Sequence, residues 1–183
     1  MKDLKEDKMG KYFKEENLVD LREVLDNRDY RRAVIEKCSK ENPATSVLSF
    51  KLNIPGPQKI NKKLIELFDK GYNEILNNID EHGWTYRVAN KWEKNTGKEA
   101  ILVVDADGYD LKKTMVDLEE SSKLARLYDI DIIYKNKDIT REDLGKDGRK
   151  CIICGKKVAS CARSRRHSVG EMQEYIEKIL DTI

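Results

Sequence analysis

The segment RLYDIDII, residues 126–133, places two aspartates in an alternating pattern that is typical of a β-strand. Side chains at i and i+2 of a strand point to one face, so Asp129 and Asp131 are predicted to lie side by side. Neighbouring carboxylates repel each other unless a cation lies between them or one is protonated. Oxygen ligands favour Mg²⁺ or Mn²⁺, which complete their coordination with water and substrate phosphates. The pattern predicts a metal site for phosphorus chemistry; a solvated acidic strand face is the alternative for so short a motif.

A second candidate site lies in RKCIICGKKVASCARSRRH, residues 149–167, which holds three of the four cysteines. The spacing C-x2-C-x6-C-x5-H offers three thiolates and one imidazole, a donor set that suits tetrahedral zinc. The four donors are Cys151, Cys154, Cys161 and His167. The alternative is that reduced thiols pack a small lobe, with the histidine as a polar cap. A redox role is disfavoured because the segment indicates a strand and a turn, not the helix N-terminus that lowers a thiol pKa.

The composition limits the class of protein. The chain has 183 residues, with 36 lysines and arginines against 34 aspartates and glutamates, and a net charge of +2. This near balance excludes a generally basic nucleic-acid binder. Apolar residues make up 39% of the chain, enough for one domain with a core. The charged N-terminus and the lack of a long apolar run predict a cytoplasmic protein that makes no membrane contact.

Hydrophobic periodicity predicts the elements that position the two sites. Residues 1–16 are expected to form a flexible tail and residues 17–183 a single domain. Its first helix is expected to have Asn17 as N-cap and to break at residues 27–29. The order of elements predicts an α+β fold in which helices flank a mixed sheet, followed by a C-terminal Cys/His clip (residues 149–167) and a final helix. The other predicted elements are a strand in 45–54, a rigid turn at 55–59, a helix at 61–83, two strands around a turn at 95–97, a short helix or strand entry at 109–121 and a strand in 124–140.

Several motifs follow one another in a distinctive order. They are NRDYR (27–31), SF (49–50) before PGPQK (55–59), DLKKT…LEE (110–120), RLYDIDII (126–133) and CIICGKKVASCARSRRH (151–167). Together they resemble the holo-citrate lyase synthases, the apo-citrate lyase phosphoribosyl-dephospho-CoA transferases (CitX), from about Leu18 to the final helix. The resemblance implies a nucleotidyltransferase-like fold and a transferase domain over residues 17–183.

The resemblance also implies a reaction. The family transfers the phosphoribosyl-dephospho-CoA group of 2′-(5″-triphosphoribosyl)-3′-dephospho-CoA to a serine of the acyl carrier (gamma) subunit of citrate lyase, and pyrophosphate leaves. The chain departs from the expected H-P-L-G-R before the acids, because it has Ser122-Lys123-Leu124-Ala125-Arg126. No general base can be assigned there without the histidine, and Ala125 has fewer backbone conformations than glycine beside a phosphate.

Within that reaction we expect Asp129 and Asp131 to hold Mg²⁺ against the triphosphate. A third carboxylate for metal binding and base work is expected among Glu119, Asp117 and Asp110. Basic side chains are expected to bind the phosphates, because guanidinium groups match phosphate oxygens. The candidates are Arg126, Lys59, Arg28, Arg31, Arg163 and Arg166. For the two arginines of NRDYR, surface ion pairs are the alternative.

A binding module is the alternative function. In that interpretation a zinc-clipped α+β protein uses the basic segment 156–166 to hold RNA or another acidic partner. Base stacking needs aromatic side chains beside the basic patch, and none lies within residues 149–167. Together with the near-neutral net charge, this makes nucleic acid the less favoured partner.

Overall fold

The computed structural model describes residues 10–14 and 16–183. Its helices are α1 (Leu21–Glu41), α2 (Lys62–Glu81), α3 (Gly108–Glu120), α4 (Val158–Arg163) and α5 (Val169–Leu180). Its strands are β1 (Ser46–Leu52), β2 (Tyr86–Lys94), β3 (Gly97–Val104), β4 (Tyr128–Tyr134) and β5 (Lys137–Ile139). No helix in this part of the chain is long and apolar enough to cross a bilayer.

The five strands form one sheet in the order β2-β3-β1-β4-β5, and every neighbouring pair is antiparallel. The α+β class is therefore confirmed, but the prediction of a mixed sheet is wrong. Two tight hairpins account for part of the difference, since strands joined by a two-residue turn must run in opposite directions. In the β4–β5 hairpin, Lys135 and Asn136 both have positive φ, as that kind of turn requires.

The sheet is covered on both faces. One face carries the large apolar core, to which α2, α3 and α5 contribute side chains such as Leu67, Met115 and Ile176. The other face packs against α1 through a smaller cluster that includes Cys38 and Val47. The two layers of helices therefore fix the central strands, β1 and β4, from above and below.

Gly71 of α2 allows a close approach between that helix and the sheet. A Cβ atom at this position would lie 2.7 Å from the ring of Tyr128 and 2.9 Å from Phe50. The hydroxyl of Tyr128, which is fully buried, donates a hydrogen bond of 2.8 Å to Glu74. Helix α2 is thus attached to the first residue of β4.

Helix α1 differs from its predicted form. Its N-cap is Asp20, which forms a capping box with Glu23, and the helix continues without a break to Glu41. The expected break at residues 27–29 is wrong because Asn27 is buried and its side chain is used inside the fold: Nδ2 donates to Glu99 at 2.7 Å.

The predicted flexible tail, residues 1–16, is described by the structure only in part. Residues 1–9 and residue 15 lie outside the described residues. Residues 10–14 pack against the end of the chain: Phe13 is buried, and its backbone N–H donates to Glu177 of α5 at 3.0 Å. The helices expected at 61–83 and after Ser168 are confirmed as α2 and α5, the uncertain segment 109–121 is the helix α3, and α4 has no counterpart among the predicted elements.

Candidate active site and Cys/His cluster

Asp129 and Asp131 alternate along β4 with the buried side chains of Ile130 and Ile132. Pairing with β1 places Lys51 opposite Asp129, and a serine opposite Asp131. Both carboxylates therefore project from one face of the sheet. The pairing of β4 with β1 gives them a rigid support.

Cations surround Asp129. The amine of Lys51 donates a hydrogen bond to its Oδ2, and a guanidinium nitrogen of Arg149 lies 3.6 Å from its Oδ1. Burial raises the pKa of Asp129, but the charges of Lys51 and Arg149 outweigh burial and hold the pKa below its ordinary value. This carboxylate is therefore ionised and already compensated by protein cations.

Asp131 is in a different electrostatic position. Within the described part of the chain its carboxylate has no hydrogen-bond or ion-pair partner, and the side chain is exposed to solvent on one side. The surrounding protein removes water from the other sides, and this burial together with the charge of Asp129 raises the pKa of Asp131. An anionic oxygen donor without a partner is the kind of ligand that a divalent cation would complete.

Two adjoining depressions meet at this residue and share Asp131 and Asp138 of β5. The smaller, of about 210 Å³, is also lined by Asp129 and Arg149. The larger, of about 610 Å³, is bordered on α1 by arginines that include Arg28. We call the two together the acidic groove. Its lining includes the carboxylates of Asp129, Asp131 and Asp138 together with arginine side chains, an arrangement that suits a metal-bound polyphosphate.

Glu119 binds a backbone group of β4 beyond the end of the short strand β5, where β4 has no neighbouring strand on that side. Its Oε1 accepts the backbone N–H of Ile130 at 3.0 Å, and Lys112 donates to the carbonyl oxygen of the same residue at 2.8 Å. Arg149 donates to the carbonyl oxygen of Tyr128. Charged side chains thus replace the missing neighbouring strand and leave no open edge beside the aspartates.

The other oxygen of Glu119 is also occupied, since Arg141 donates to Oε2 at 2.6 Å and Arg149 lies 2.9 Å from Oε1. Glu119 is buried, with 3% of its side chain exposed, so the ion pairs are shielded from water. The other candidates for a third carboxylate lie on the exposed side of α3, where Asp117 pairs with Lys146 and Asp110 is in the first turn. Neither of these two lines the acidic groove.

The predicted phosphate ligands of the first half of the chain are in two places. Arg28 and Arg31 of α1 line the acidic groove. Arg28 is exposed, while Arg31 binds both carboxylate oxygens of Glu99 at 2.8 and 2.9 Å. Lys59 lies elsewhere: its amine donates to the carbonyl oxygen of Ile54 at 2.5 Å, and burial together with a nearby lysine lowers its pKa.

Cys151, Cys154, Cys161 and His167 converge in space. Their ligand atoms all lie within 4.8 Å of one another, which is the spacing of a metal-binding cluster. The backbone N–H of Lys156 and the imidazole of His167 lower the pKa of Cys154, while burial and the neighbouring thiol raise that of Cys161. Nε2 of His167 is buried and has no hydrogen-bond partner among the described residues. The donor set and this unsatisfied nitrogen fit a bound metal ion.

Turns hold the cluster in place. An isolated bridge pairs Lys150 with Lys157, and the six-residue helix α4 carries Cys161. Arg126 donates to the carbonyl oxygen of Lys150 and so joins the clip to β4. Arg163 and Arg166 are exposed at the end of the clip and are not brought to the acidic groove.

The residues of these sites that were not identified from the sequence include Lys51, Asp138, Arg141 and Arg149. Lys51 carried a usable signal, because it alternates with Phe50 on a predicted strand and so faces away from the core. Asp138 depends on the tight β4–β5 hairpin, whereas Arg141 and Arg149 depend on contacts between distant segments. No local pattern shows that Arg141 and Arg149 meet Glu119, more than 20 residues earlier.

Most of the chain matches the model of one protein family. The family model described as apo-citrate lyase phosphoribosyl-dephospho-CoA transferase, CitX, matches residues 19–183. A "Probable apo-citrate lyase phosphoribosyl-dephospho-CoA transferase" of Streptococcus pyogenes serotype M5 (strain Manfredo) is 36% identical over 173 residues, which cover 92% of this chain and 88% of that protein. An "Apo-citrate lyase phosphoribosyl-dephospho-CoA transferase" of Escherichia coli O1:K1 / APEC is 30% identical over 172 residues, 93% of each chain.

A longer relative matches as well. "Protein CitXG" of Leuconostoc mesenteroides subsp. cremoris is 33% identical over 171 residues, which cover 92% of this chain but only 36% of that protein. The match to the family model includes both the acidic groove and the Cys/His clip. The chain belongs to the apo-citrate lyase phosphoribosyl-dephospho-CoA transferase (CitX) family.

Proposed function

We propose that this chain transfers the phosphoribosyl-dephospho-CoA group from 2′-(5″-triphosphoribosyl)-3′-dephospho-CoA to a serine of the acyl carrier subunit of citrate lyase. The observation that carries the proposal is the placement of Asp129 and Asp131 on one strand face, where they line a groove together with basic side chains. Family membership supplies the substrates. The cytoplasm is the expected location.

The proposed reaction is a nucleotidyl-type transfer. The serine oxygen forms a bond to the phosphorus nearest the ribose of the triphosphoribosyl group. The bond that breaks joins that phosphorus to the oxygen that bridges it to the second phosphorus. Pyrophosphate leaves with the electron pair, and the serine proton passes to a carboxylate of the groove or to water. Negative charge accumulates on the phosphate oxygens, so cations that are already in place lower the barrier.

Asp129 and Asp131 are the residues that would hold Mg²⁺ in this groove. When bound, Mg²⁺ would neutralise charge on the triphosphate and on the leaving pyrophosphate. Asp131 fits this role because it has no partner within the described residues, whereas Asp129 shares its charge with Lys51. Arg28 lies at the rim, where its guanidinium would meet phosphate oxygens.

For Glu119 we propose a positioning role. Both of its oxygens are engaged by arginines and by the backbone of β4, so the side chain fixes the strand that carries the aspartates. A carboxylate held in this way would have to break buried ion pairs before it could accept a proton or bind a metal ion.

We also propose that the Cys/His clip holds one structural Zn²⁺. Three thiolates and one imidazole leave no open position on a tetrahedral ion, which is the pattern of a structural site. Elemental analysis of purified protein should give one zinc per chain, and Cys154→Ser should lose it. Cys38→Ala is the matched control, because the fourth cysteine lies apart in the α1 cluster. Zinc far below one per chain would contradict the assignment.

Mass spectrometry of the carrier subunit tests the proposed reaction. The carrier is incubated with this protein, the triphosphoribosyl precursor and Mg²⁺, and the expected result is a mass increase equal to the phosphoribosyl-dephospho-CoA group, with pyrophosphate released in equal amount. A carrier whose serine is changed to alanine should remain unmodified. A wild-type carrier that remains unmodified at a saturating concentration of the precursor would overturn the proposal. The alternative of an RNA-binding module has no support from the relatives, which are named as transferases.

A further inference from the structure

A cavity of about 510 Å³ lies between the Cys/His clip and the start of α5, apart from the acidic groove. Its walls are mainly apolar: Ile152, Val158 and Ala162 come from the clip, and Val169 and Met172 from α5. Its volume and lining are those of a site for a small organic molecule (about 300–1,000 Å³). Asp129 and Asp131 do not line this cavity. Of the predicted phosphate ligands, one lines it.

Arg126 is that ligand, and it lines the cavity together with Arg165. No carboxylate lines the cavity among the described residues, so the two guanidinium groups meet no acid on its walls. Arg165 has a left-handed backbone conformation, with φ of 43°. An apolar wall with two cations fits a flat, weakly polar group that carries phosphate.

The cavity and the acidic groove are neighbours along two segments. Leu127 lines the cavity and Asp129 the groove; on the clip, Cys151 lines the cavity and Arg149 the groove. The residues of each pair are two positions apart in the chain, so the two sites adjoin. A ligand that spans both sites therefore needs only a short link between its apolar part and its polyphosphate.

The proposed precursor has such a link, because a single ribose joins its triphosphate to the adenosine of dephospho-CoA. We propose that this cavity binds the adenosine 5′-diphosphate part of the precursor: adenine packs on the apolar wall, and Arg126 and Arg165 hold the diphosphate. This inference rests on the proposed function. It gives the clip a direct part in substrate binding, since residues of its metal-binding cluster form one wall.

Titration calorimetry with 3′-dephospho-CoA tests the inference. This compound lacks the triphosphoribosyl group, so it can bind but cannot react. Ala162→Trp, which fills the cavity, and Arg165→Gln, which removes a cation, should each weaken binding at least about tenfold. Ala44→Trp is the matched control, since Ala44 is exposed in a loop and lines neither site. Its affinity should equal that of the wild type.

Two further outcomes separate this inference from the proposed function. Asp131→Asn should bind 3′-dephospho-CoA with unchanged affinity while it fails to modify the carrier. Wild-type affinity in both Ala162→Trp and Arg165→Gln, or no binding of 3′-dephospho-CoA by the wild type, would overturn the inference even if the wild type modifies the carrier. Failure of the wild type to modify the carrier would instead overturn the proposed function, whatever the calorimetry shows.

Discussion

The acidic groove and the Cys/His clip are supported in different ways. Strand β4, which carries the aspartates, lies beside β1 along its length, and on its other edge β5 and the side chains of Glu119 and Lys112 complete the hydrogen bonds. The clip has turns, one isolated bridge and a six-residue helix. Folding of the sheet therefore sets the geometry of the groove, whereas we expect the geometry of the clip to depend on the metal ion proposed for its Cys and His side chains.

Metal removal should show this contrast most strongly. After dialysis against a zinc chelator, backbone amides in residues 151–166 should exchange hydrogen at least about 1,000-fold faster, because the metal supplies most of the local stability. Amides of β4 should change by less than about threefold. Hydrogen-exchange mass spectrometry of the two segments checks both values, and unchanged protection in the clip would show that packing alone holds it.

Substitution of Glu119 should reveal how strongly the groove is supported. Glu119→Ala removes the buried carboxylate that pairs with both Arg141 and Arg149, and it should lower the free energy of unfolding by about 3–5 kcal/mol. Glu120→Ala is a matched control: it removes an exposed carboxylate from the same Arg141 and should cost less than about 1 kcal/mol. Urea unfolding measures the two. Equal losses of unfolding free energy in the two variants would mean that the burial of Glu119 contributes nothing to stability.

The chemistry of the groove is expected to depend on Asp131. Asp131→Asn should lower the rate of carrier modification by at least about 100-fold, since a partnerless carboxylate is replaced by a neutral amide where the metal is expected. The fold should remain, because Asp131 makes no hydrogen bond or ion pair within the described residues. Asp117→Asn, on the exposed side of α3, should retain activity within about twofold. Normal activity of Asp131→Asn would remove the proposed metal site.

The smallest effect is expected from the exposed end of the clip. Arg163→Ala should raise the KM for the precursor by no more than about fivefold, because an exposed charge pair is worth about 0.2–1 kcal/mol. Steady-state kinetics at low and high salt checks this, and the difference should shrink at high salt as screening increases. A larger increase that persists at high salt would assign Arg163 to a desolvated phosphate site.

The sequence predicted the parts of the fold that depend on local pattern. The amphipathic stripe of α2, the alternation in β4 and the spacing of the Cys/His cluster each depend on residues that are close in the chain. Pairing between strands is a long-range property, so the antiparallel sheet was mistaken for a mixed one. The unbroken α1 has the same cause: Asn27 looks like a helix breaker in isolation, yet Glu99, 72 residues away, accepts its hydrogen bond.

The candidate site shows the same limit. The two aspartates could be placed on one face because a strand has a period of two, but the cations that compensate Asp129 come from β1 and from the clip. Likewise Glu119 could be named as one of three candidates for a third carboxylate, while its burial between two arginines follows only from the folded chain. Local spacing thus identified the donors and left their partners undetermined.

The close approach at Gly71 has a consequence for natural variation in this enzyme. The ring that fills the space beside the glycine belongs to Tyr128, the residue immediately before Asp129. A methyl group at position 71 would press on that ring and shift the strand, so an alanine far from any phosphate would misplace the carboxylates without contacting them. A screen for inactive but well-expressed variants should therefore recover substitutions on the side of the sheet opposite the chemistry.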